Sequence, residues 1–131
     1  MKNLLFICVE NSNRSQIAEA FGHIYGDDKV RVYSAGSVPT GKINPRAIQF
    51  MKEVGYDLGN HSSKSVEEFH SMEFDFVISM GCGDKCPYVP SKSFEDWQVP
   101  DPKHMNDEEY RTIRDYIAIK VKDLINRAAE S

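Results

Sequence analysis

Apolar and polar positions along the chain switch between two spacings. Lys2 to Cys8 is a short, almost unbroken apolar run, too brief for an amphipathic helix, and reads as a strand buried on both faces. From Ser15 to Tyr25 the apolar residues Ile17, Ala18, Phe21 and Ile24 recur at helical spacing. Arg31 to Ala35 is a second short strand with β-branched and aromatic content. Asn44-Pro45 opens a second helix, with Asn as N-cap and Pro at the first helical position. Ala47, Ile48, Met51 and Val54 supply its apolar face, and Gly55 is placed to end it in the left-handed conformation. Tyr56 to Ser65 is polar and irregular, and Val66 to Ser71 has room for one or two helical turns. Phe74 to Ser79 is a third strand, bounded by Gly81 and Gly83, and a brief fourth is expected near Phe94 to Trp97 within the long loop that runs to Pro102. The last helix, from about Asp107 to Ala129, carries Tyr110, Ile113, Ile117, Val121, Leu124 and Ala128 as its apolar stripe.

Strands alternating with helices imply an α/β fold with right-handed crossovers. The expected architecture is one domain over residues 1–131: a three-layer sandwich whose four-stranded parallel sheet has the order 2-1-3-4, with helices on both faces. Strands one and three are then neighbours, and their carboxyl ends form the switch point where ligands bind in open α/β sheets. Cys8 ends strand one, and Cys82 follows the end of strand three by three residues. Because adjacent strands lie roughly 5 Å apart, these thiols come within mutual reach if the later loop folds inward.

Composition narrows the field of functions. At 131 residues, 40% hydrophobic and 27% charged, the chain has an ordinary globular make-up with no run long enough for a transmembrane helix and no signal-peptide pattern after Met1-Lys2-Asn3. A cytoplasmic monomer is expected, with no membrane partner. Sixteen basic residues against 20 acidic ones give a net charge of −4 without a basic run, so nucleic-acid binding is disfavoured. Three cysteines, an odd number, argue against a structural disulfide framework and leave packing, metal ligation or redox chemistry.

The chemistry concentrates in Cys8-Val9-Glu10-Asn11-Ser12-Asn13-Arg14-Ser15. Six residues must turn the chain from a parallel strand into a helix, so their backbone N–H groups converge on one spot. With the helix dipole these groups favour a tetrahedral oxyanion, and Arg14 adds a bidentate fork. Val9, Glu10, Asn11, Ser12, Asn13 and Arg14 are therefore the expected oxyanion-binding set. The same field favours a thiolate at Cys8, and the Ser15 hydroxyl can hydrogen-bond it. A Cys followed by Arg six positions on is a weak pattern alone, and burial of a lone Cys is common. The strand-to-helix context raises the nucleophile reading above packing. Asn11 and Ser12 also suit a tight turn, and the Glu10 carboxylate is expected to point outward, away from a bound anion. Asp101, in Asp-Pro, is equally readable as a turn residue or as a general acid for a departing oxygen. His61, His70 and His104 have no metal-ligand spacing with one another and receive no catalytic role. Cys82 and Cys86 lack the partners of a zinc site; residues four apart in a helical turn have Cα atoms roughly 6 Å apart, which suits a small disulfide.

Cys8 to Ser15, Tyr33-Ser34-Ala35-Gly36, Asn44-Pro45-Arg46-Ala47-Ile48, Asn60-His61-Ser62-Ser63, the two later cysteines and Asp101-Pro102 together resemble the thioredoxin-coupled arsenate reductases, which share the low-molecular-weight protein tyrosine phosphatase fold. The resemblance implies a relay. Cys8 attacks arsenate held by the loop and Arg14, with Asp101 assisting departure of hydroxide; Cys82 attacks the Cys8 sulfur and arsenite leaves; Cys86 then attacks Cys82, and thioredoxin reduces the pair. Ser15 completes the catalytic set Cys8, Arg14, Ser15, Cys82, Cys86 and Asp101. No cofactor is implied beyond the external thiol reductant, and phosphate or sulfate are expected competitors. Asn13 stands where many relatives have another Cys. Some members bind potassium near positions matching Asn11, Glu19 and Ser34; here the Lys64 ammonium is expected in its place, and no metal is expected. Two rivals share the loop: a low-molecular-weight phosphatase that hydrolyses its adduct, and a non-enzymatic thiol sensor or oxyanion-binding module.

Overall fold

The computed structural model describes residues 1–81 and 88–130. Four strands, β1 (Lys2–Cys8), β2 (Val30–Gly36), β3 (Phe74–Ser79) and β4 (Ser91–Asp96), form one sheet in the order β2-β1-β3-β4. Every pairing is parallel. The helices are α1 (Arg14–Gly26), α2 (Pro45–Lys52) and α3 (Asp107–Glu130), with short 3-10 turns at Leu58–Asn60, Val66–Phe69 and Pro102–His104. The expected topology and strand order are those observed. β4 begins earlier than its apolar residues suggest: as the edge strand it is largely exposed, so its pattern carries little signal. No helix among the described residues is long and apolar enough to cross a membrane.

The period-two geometry of β1 sorts its side chains onto two cores. Leu4, Phe6 and Cys8 join a cluster with Ile17, Phe21, Phe50, Met51, Tyr110, Ile117 and Val121, so all three α-helices cover that face. Leu5 and Ile7 face the other way, onto Ala35, Phe74 and Val77, beside Val66, Phe69 and Met72. The second covering layer is thus the 3-10 turn at Val66–Phe69 and its flanks. Leu4 to Ile7 have no exposed surface, and burying each such side chain stabilises the fold by about 1.5–3 kcal/mol. Cys8, by its parity, is on the helical side.

Two apolar positions depart from the expected faces. Ile24 is 43% exposed because the last turns of α1 meet the sheet through Gly22 and Gly26; a Cβ on these would lie 2.6 Å from Val32 Cγ1 and 2.7 Å from Val30 Cγ2. Val54 is 40% exposed because α2 stops at Lys52 and the chain turns through Gly55 at φ +85°. The start of α2 follows its chemistry: Asn44 Oδ1 accepts from the Arg46 N–H at 2.9 Å, with Pro45 next.

Glu53 clamps the end of α2 to α3. It accepts from Arg111 Nε at 3.0 Å and Nη2 at 2.8 Å, and from Arg114 Nη1 at 2.7 Å, while Arg114 also donates to the Phe50 carbonyl at 3.0 Å. Hydrogen bonds from Arg111, then Arg114, hold the Glu53 carboxyl down at about 2, against an ordinary 4.5. A carboxyl lowered on folding stabilises the native state above its unfolded value and loses that contribution as pH falls through its folded value. Glu53→Gln is therefore expected to flatten the pH dependence of the urea midpoint between about pH 4.5 and pH 2; equal slopes for the two proteins would show that the clamp does not contribute.

Candidate active site

The carboxyl end of β1, the loop after it and the start of α1, with Asn44, Asp101 and Lys103 opposite, enclose a cavity of about 230 Å³, lined by Cys8, Val9, Glu10, Ser12, Asn13, Arg14, Asn44, Asp101 and Lys103. It is smaller than the roughly 300 Å³ at which drug-sized ligand sites begin, and suits a small anion. Its wall owes its shape to where the loop carbonyls go. Cys8 O accepts from the Ser37 N–H at 3.3 Å, Val9 O from Val38 at 2.8 Å, Glu10 O from Thr40 at 3.2 Å and Ser12 O from Asn44 at 2.8 Å. In a planar trans peptide the C=O and the next N–H point in opposite directions. Carbonyls tied outward to residues 37–44 therefore turn the following N–H groups toward the thiol and cavity. The Asn11 N–H shows this directly, donating to Cys8 Sγ at 3.3 Å.

Cys8 is 4% exposed, and its Sγ lies 2.8 Å from Ser15 Oγ. Asn11 Nδ2 donates to that same oxygen at 2.9 Å, which leaves the Ser15 O–H free to donate to the sulfur. The sulfur thus has two donors aimed at it, a hydroxyl and a backbone amide. Asn11 itself is fully buried, with φ +51°, a left-handed conformation that Asn tolerates. Its Oδ1 accepts from Gln16 Nε2 at 2.9 Å and the Lys64 N–H at 2.8 Å.

Arg14 lines the cavity, but its Nη1 donates to two backbone carbonyls, Met80 and Val99, each at 2.7 Å. One arm of the guanidinium therefore ties the exit of β3 and the approach to Asp101 to the anion loop. Gly81 fits beside it at φ +89°, where a Cβ would lie 2.9 Å from Arg14 Nη1. Asp101 is the turn residue its Asp-Pro context suggests, with Oδ1 accepting from the Lys103 N–H at 3.0 Å to cap the 3-10 turn, and it also lines the cavity.

Of the expected residues, the structure gathers Cys8, Val9, Glu10, Ser12, Asn13, Arg14 and Asp101 around the cavity. Asn11 and Ser15 stand beside the sulfur: the Ser15 hydroxyl meets Cys8 Sγ, the contact expected of it, and Asn11 holds that hydroxyl and gives its own N–H to the sulfur. Glu10 is half-buried and lines the cavity, with its backbone carbonyl held by the Thr40 N–H and by Ser63 Oγ at 3.0 Å. Cys82 and Cys86 lie outside the described residues. Asn44 and Lys103 were not anticipated as lining. Asn44 was legible only as a cap, and Lys103 had its place after the Asp101 cap as the available signal.

Asn13 is bound from across the core. Tyr110 donates its hydroxyl to Asn13 Oδ1, and burial raises the Tyr110 phenol well above its ordinary range. Lys64 Nζ lies 3.6 Å from Glu19 Oε1, to which Ser34 Oγ donates at 2.6 Å. That carboxylate oxygen already has a cation and a donor, so the residues do not fit an alkali ion there unless Lys64 moves.

The profile of the low molecular weight phosphotyrosine protein phosphatases matches residues 3–131. The chain belongs to that family. Within it, the chain is similar to the glutaredoxin arsenate reductase of Synechocystis sp., with 40% identity over 128 residues covering 95% of this chain and 97% of that one. A solved arsenate reductase in its phosphate-binding state superposes with a TM-score of 0.89 at 39% identity, over 98% of this chain and 99% of that one. The thioredoxin-dependent arsenate reductase of Corynebacterium glutamicum superposes with a TM-score of 0.76 at 32% identity, covering 98% of this chain and 62% of its own.

Gly36 lets this loop approach β2: a Cβ there would lie 2.5 Å from Val9 O and 3.0 Å from Asn11 N. Gly36→Ala is expected to cost about 1–3 kcal/mol in urea unfolding, as overpacking does, and to weaken phosphate binding; an unchanged midpoint and phosphate affinity would contradict the close approach. Ser15→Ala removes one hydrogen bond to the sulfur, and charge-assisted bonds contribute about 1.5–3 kcal/mol. Alkylation of Cys8 at neutral pH, followed by peptide mass mapping, is expected to slow roughly tenfold or more.

Proposed function

We propose that this chain is an arsenate reductase working through a three-cysteine relay. Arsenate enters the cavity with its oxygens on the loop N–H groups, and the Cys8 thiolate attacks arsenic. An S–As bond forms as an oxygen leaves, protonated by Asp101. Cys82 then attacks the Cys8 sulfur: an S–S bond forms, the electron pair of the S–As bond stays on arsenic, and arsenite departs two electrons richer. Cys86 attacks Cys82 and frees Cys8. An external dithiol, with thioredoxin as the first choice, returns the Cys82–Cys86 disulfide to thiols. The cytoplasm, where thiols are kept reduced, is the compartment such a cycle needs.

The observation that carries this reading is the buried Cys8 sulfur held by Ser15 and Asn11 at an anion-sized cavity, in a chain with two further cysteines that hydrolysis does not require. The tie from Arg14 to Met80 supports it, because Cys82 follows Met80 by two residues. The names of the similar proteins favour arsenate over a phosphoester. The reductant has a specific second candidate, since the Synechocystis relative carries glutaredoxin in its name. Phosphatase activity is the other reading, as phosphate and arsenate share charge and shape.

Multi-turnover arsenite production, followed with a thioredoxin system and separately with glutathione and glutaredoxin, tests the relay. Cys8→Ser is expected to make no arsenite, and Cys82→Ser and Cys86→Ser to stop at or below one turnover. Asp101→Asn is expected to slow the first step by roughly 10²–10⁴-fold. Full turnover in both single variants, Cys82→Ser and Cys86→Ser, would sink the relay; phosphoester hydrolysis without arsenite would assign the chain to the phosphatases.

A further inference from the structure

Behind the anion loop, on the far side of α1, lies a second group of chemistry-bearing side chains. Glu19 Oε2 is 3.2 Å from His23 Nε2 and 3.3 Å from His61 Nδ1, and one ligand atom from each of the three residues lies within 4.8 Å of the others. We propose that Glu19, His23 and His61 form a binding site for a divalent transition-metal ion, with zinc as the ion that fits it best. This goes beyond the reductase reading and does not depend on it.

The donor set selects the ion. Two imidazoles and a carboxylate suit zinc, copper, nickel or iron, and are a poor match to alkali ions or to magnesium. Zinc takes nitrogen at about 2.0–2.1 Å and carboxylate oxygen at about 2.0–2.2 Å, so two ligands of a tetrahedral ion sit about 3.3 Å apart. Both measured separations from Glu19 Oε2 match that edge. The site is half open. The His61 and Glu19 side chains are 8% and 11% exposed, whereas that of His23 is 36% exposed, so an ion enters past His23 and keeps water in its fourth position.

The surroundings are those of a ligand shell. His61 Nε2 lies 2.6 Å from the Tyr56 hydroxyl, so with Nδ1 on the ion the Nε2–H donates to the phenol oxygen, the outer bond that orients metal-bound imidazoles. The two carboxylate oxygens are divided: Oε1 takes Ser34 Oγ and the Lys64 ammonium, and Oε2 takes the two imidazoles. Lys64 repels a second cation, and Asp57 acts on His61 with the opposite sign. A bound ion also displaces the 3.0 Å contact between His61 Nδ1 and Gln16 Oε1, and Gln16 is the residue that holds Asn11 against the Cys8 loop.

Zinc and cobalt also bind thiolates, so the test uses the full chain with Cys8, Cys82 and Cys86 all changed to Ser. Competition with a chromophoric chelator is expected to show one zinc equivalent bound. His23→Ala in that background is expected to weaken it roughly tenfold or more, and His23→Asp, which returns a ligand, to recover most of the loss. Cobalt bound to the His23-containing chain is expected to give the visible bands of a tetrahedral ion without a thiolate charge-transfer band. Absence of zinc binding in the cysteine-free chain would overturn the site. So would an affinity unchanged by His23→Ala, or a cobalt spectrum without tetrahedral bands; the last needs no histidine variant to fold.

Discussion

The site depends on one constraint: the peptide groups from Cys8 to Asn13 must face their carbonyls away from the cavity. A loop of six residues has no ladder of its own, and buried carbonyls left unpaired are costly. Here residues 37–44 accept that duty, taking up the carbonyls of Cys8, Val9, Glu10 and Ser12. The N–H groups that follow are then committed to the sulfur and the cavity without any side chain having to be charged. This explains why the strap after β2 is as much a part of the site as the loop it holds, and why Gly36, with no room for a methyl group, sits at their junction.

A second layer keeps the loop in register. Asn11 is buried, left-handed and bonded through both ends of its carboxamide, to Ser15 on one side and to Gln16 and Lys64 on the other. Gln16 in turn reaches the Ser62 carbonyl at 2.9 Å and His61 at 3.0 Å. Ser15, Asn11, Gln16 and His61 thus form one hydrogen-bonded support from the Cys8 sulfur to the Glu19 carboxylate. A fully satisfied buried network of this kind specifies a single arrangement, because any partner lost leaves a polar group unpaired. Arg14 serves the opposite flank, where its bonds to Met80 and Val99 draw the ends of two later segments to the same loop.

Much of this was legible along the chain. The strand-to-helix turn at Cys8, the Asn44 cap, the left-handed Gly55 and the parallel order of the strands follow from short-range rules of periodicity, capping and crossover handedness, and those rules act within about a dozen residues. The readings that needed correction fail at the same physical boundary. Ile24 sits on the helical stripe, yet the contact surface of α1 is set by Gly22 and Gly26 against Val32, Val30 and Ile125. Val54 continues the apolar stripe of α2, yet that helix stops at Lys52 and the chain turns away through Gly55.

By itself, then, the sequence determined the elements, their order and the chemistry available at the end of β1: a thiol, a guanidinium and a turn of amides. Only the tertiary structure decided which face of the sheet Cys8 joins, that Asn11 holds the Ser15 hydroxyl beside the sulfur, that Lys103 and Asn44 border the cavity, and that His61 meets Glu19 and His23. Glu19 and His23 are four residues apart on one helix and could be paired by spacing. His61 reaches them from a segment whose position depends on Gln16, Tyr56 and the packing of α1, contacts between residues dozens of positions apart that no local pattern encodes.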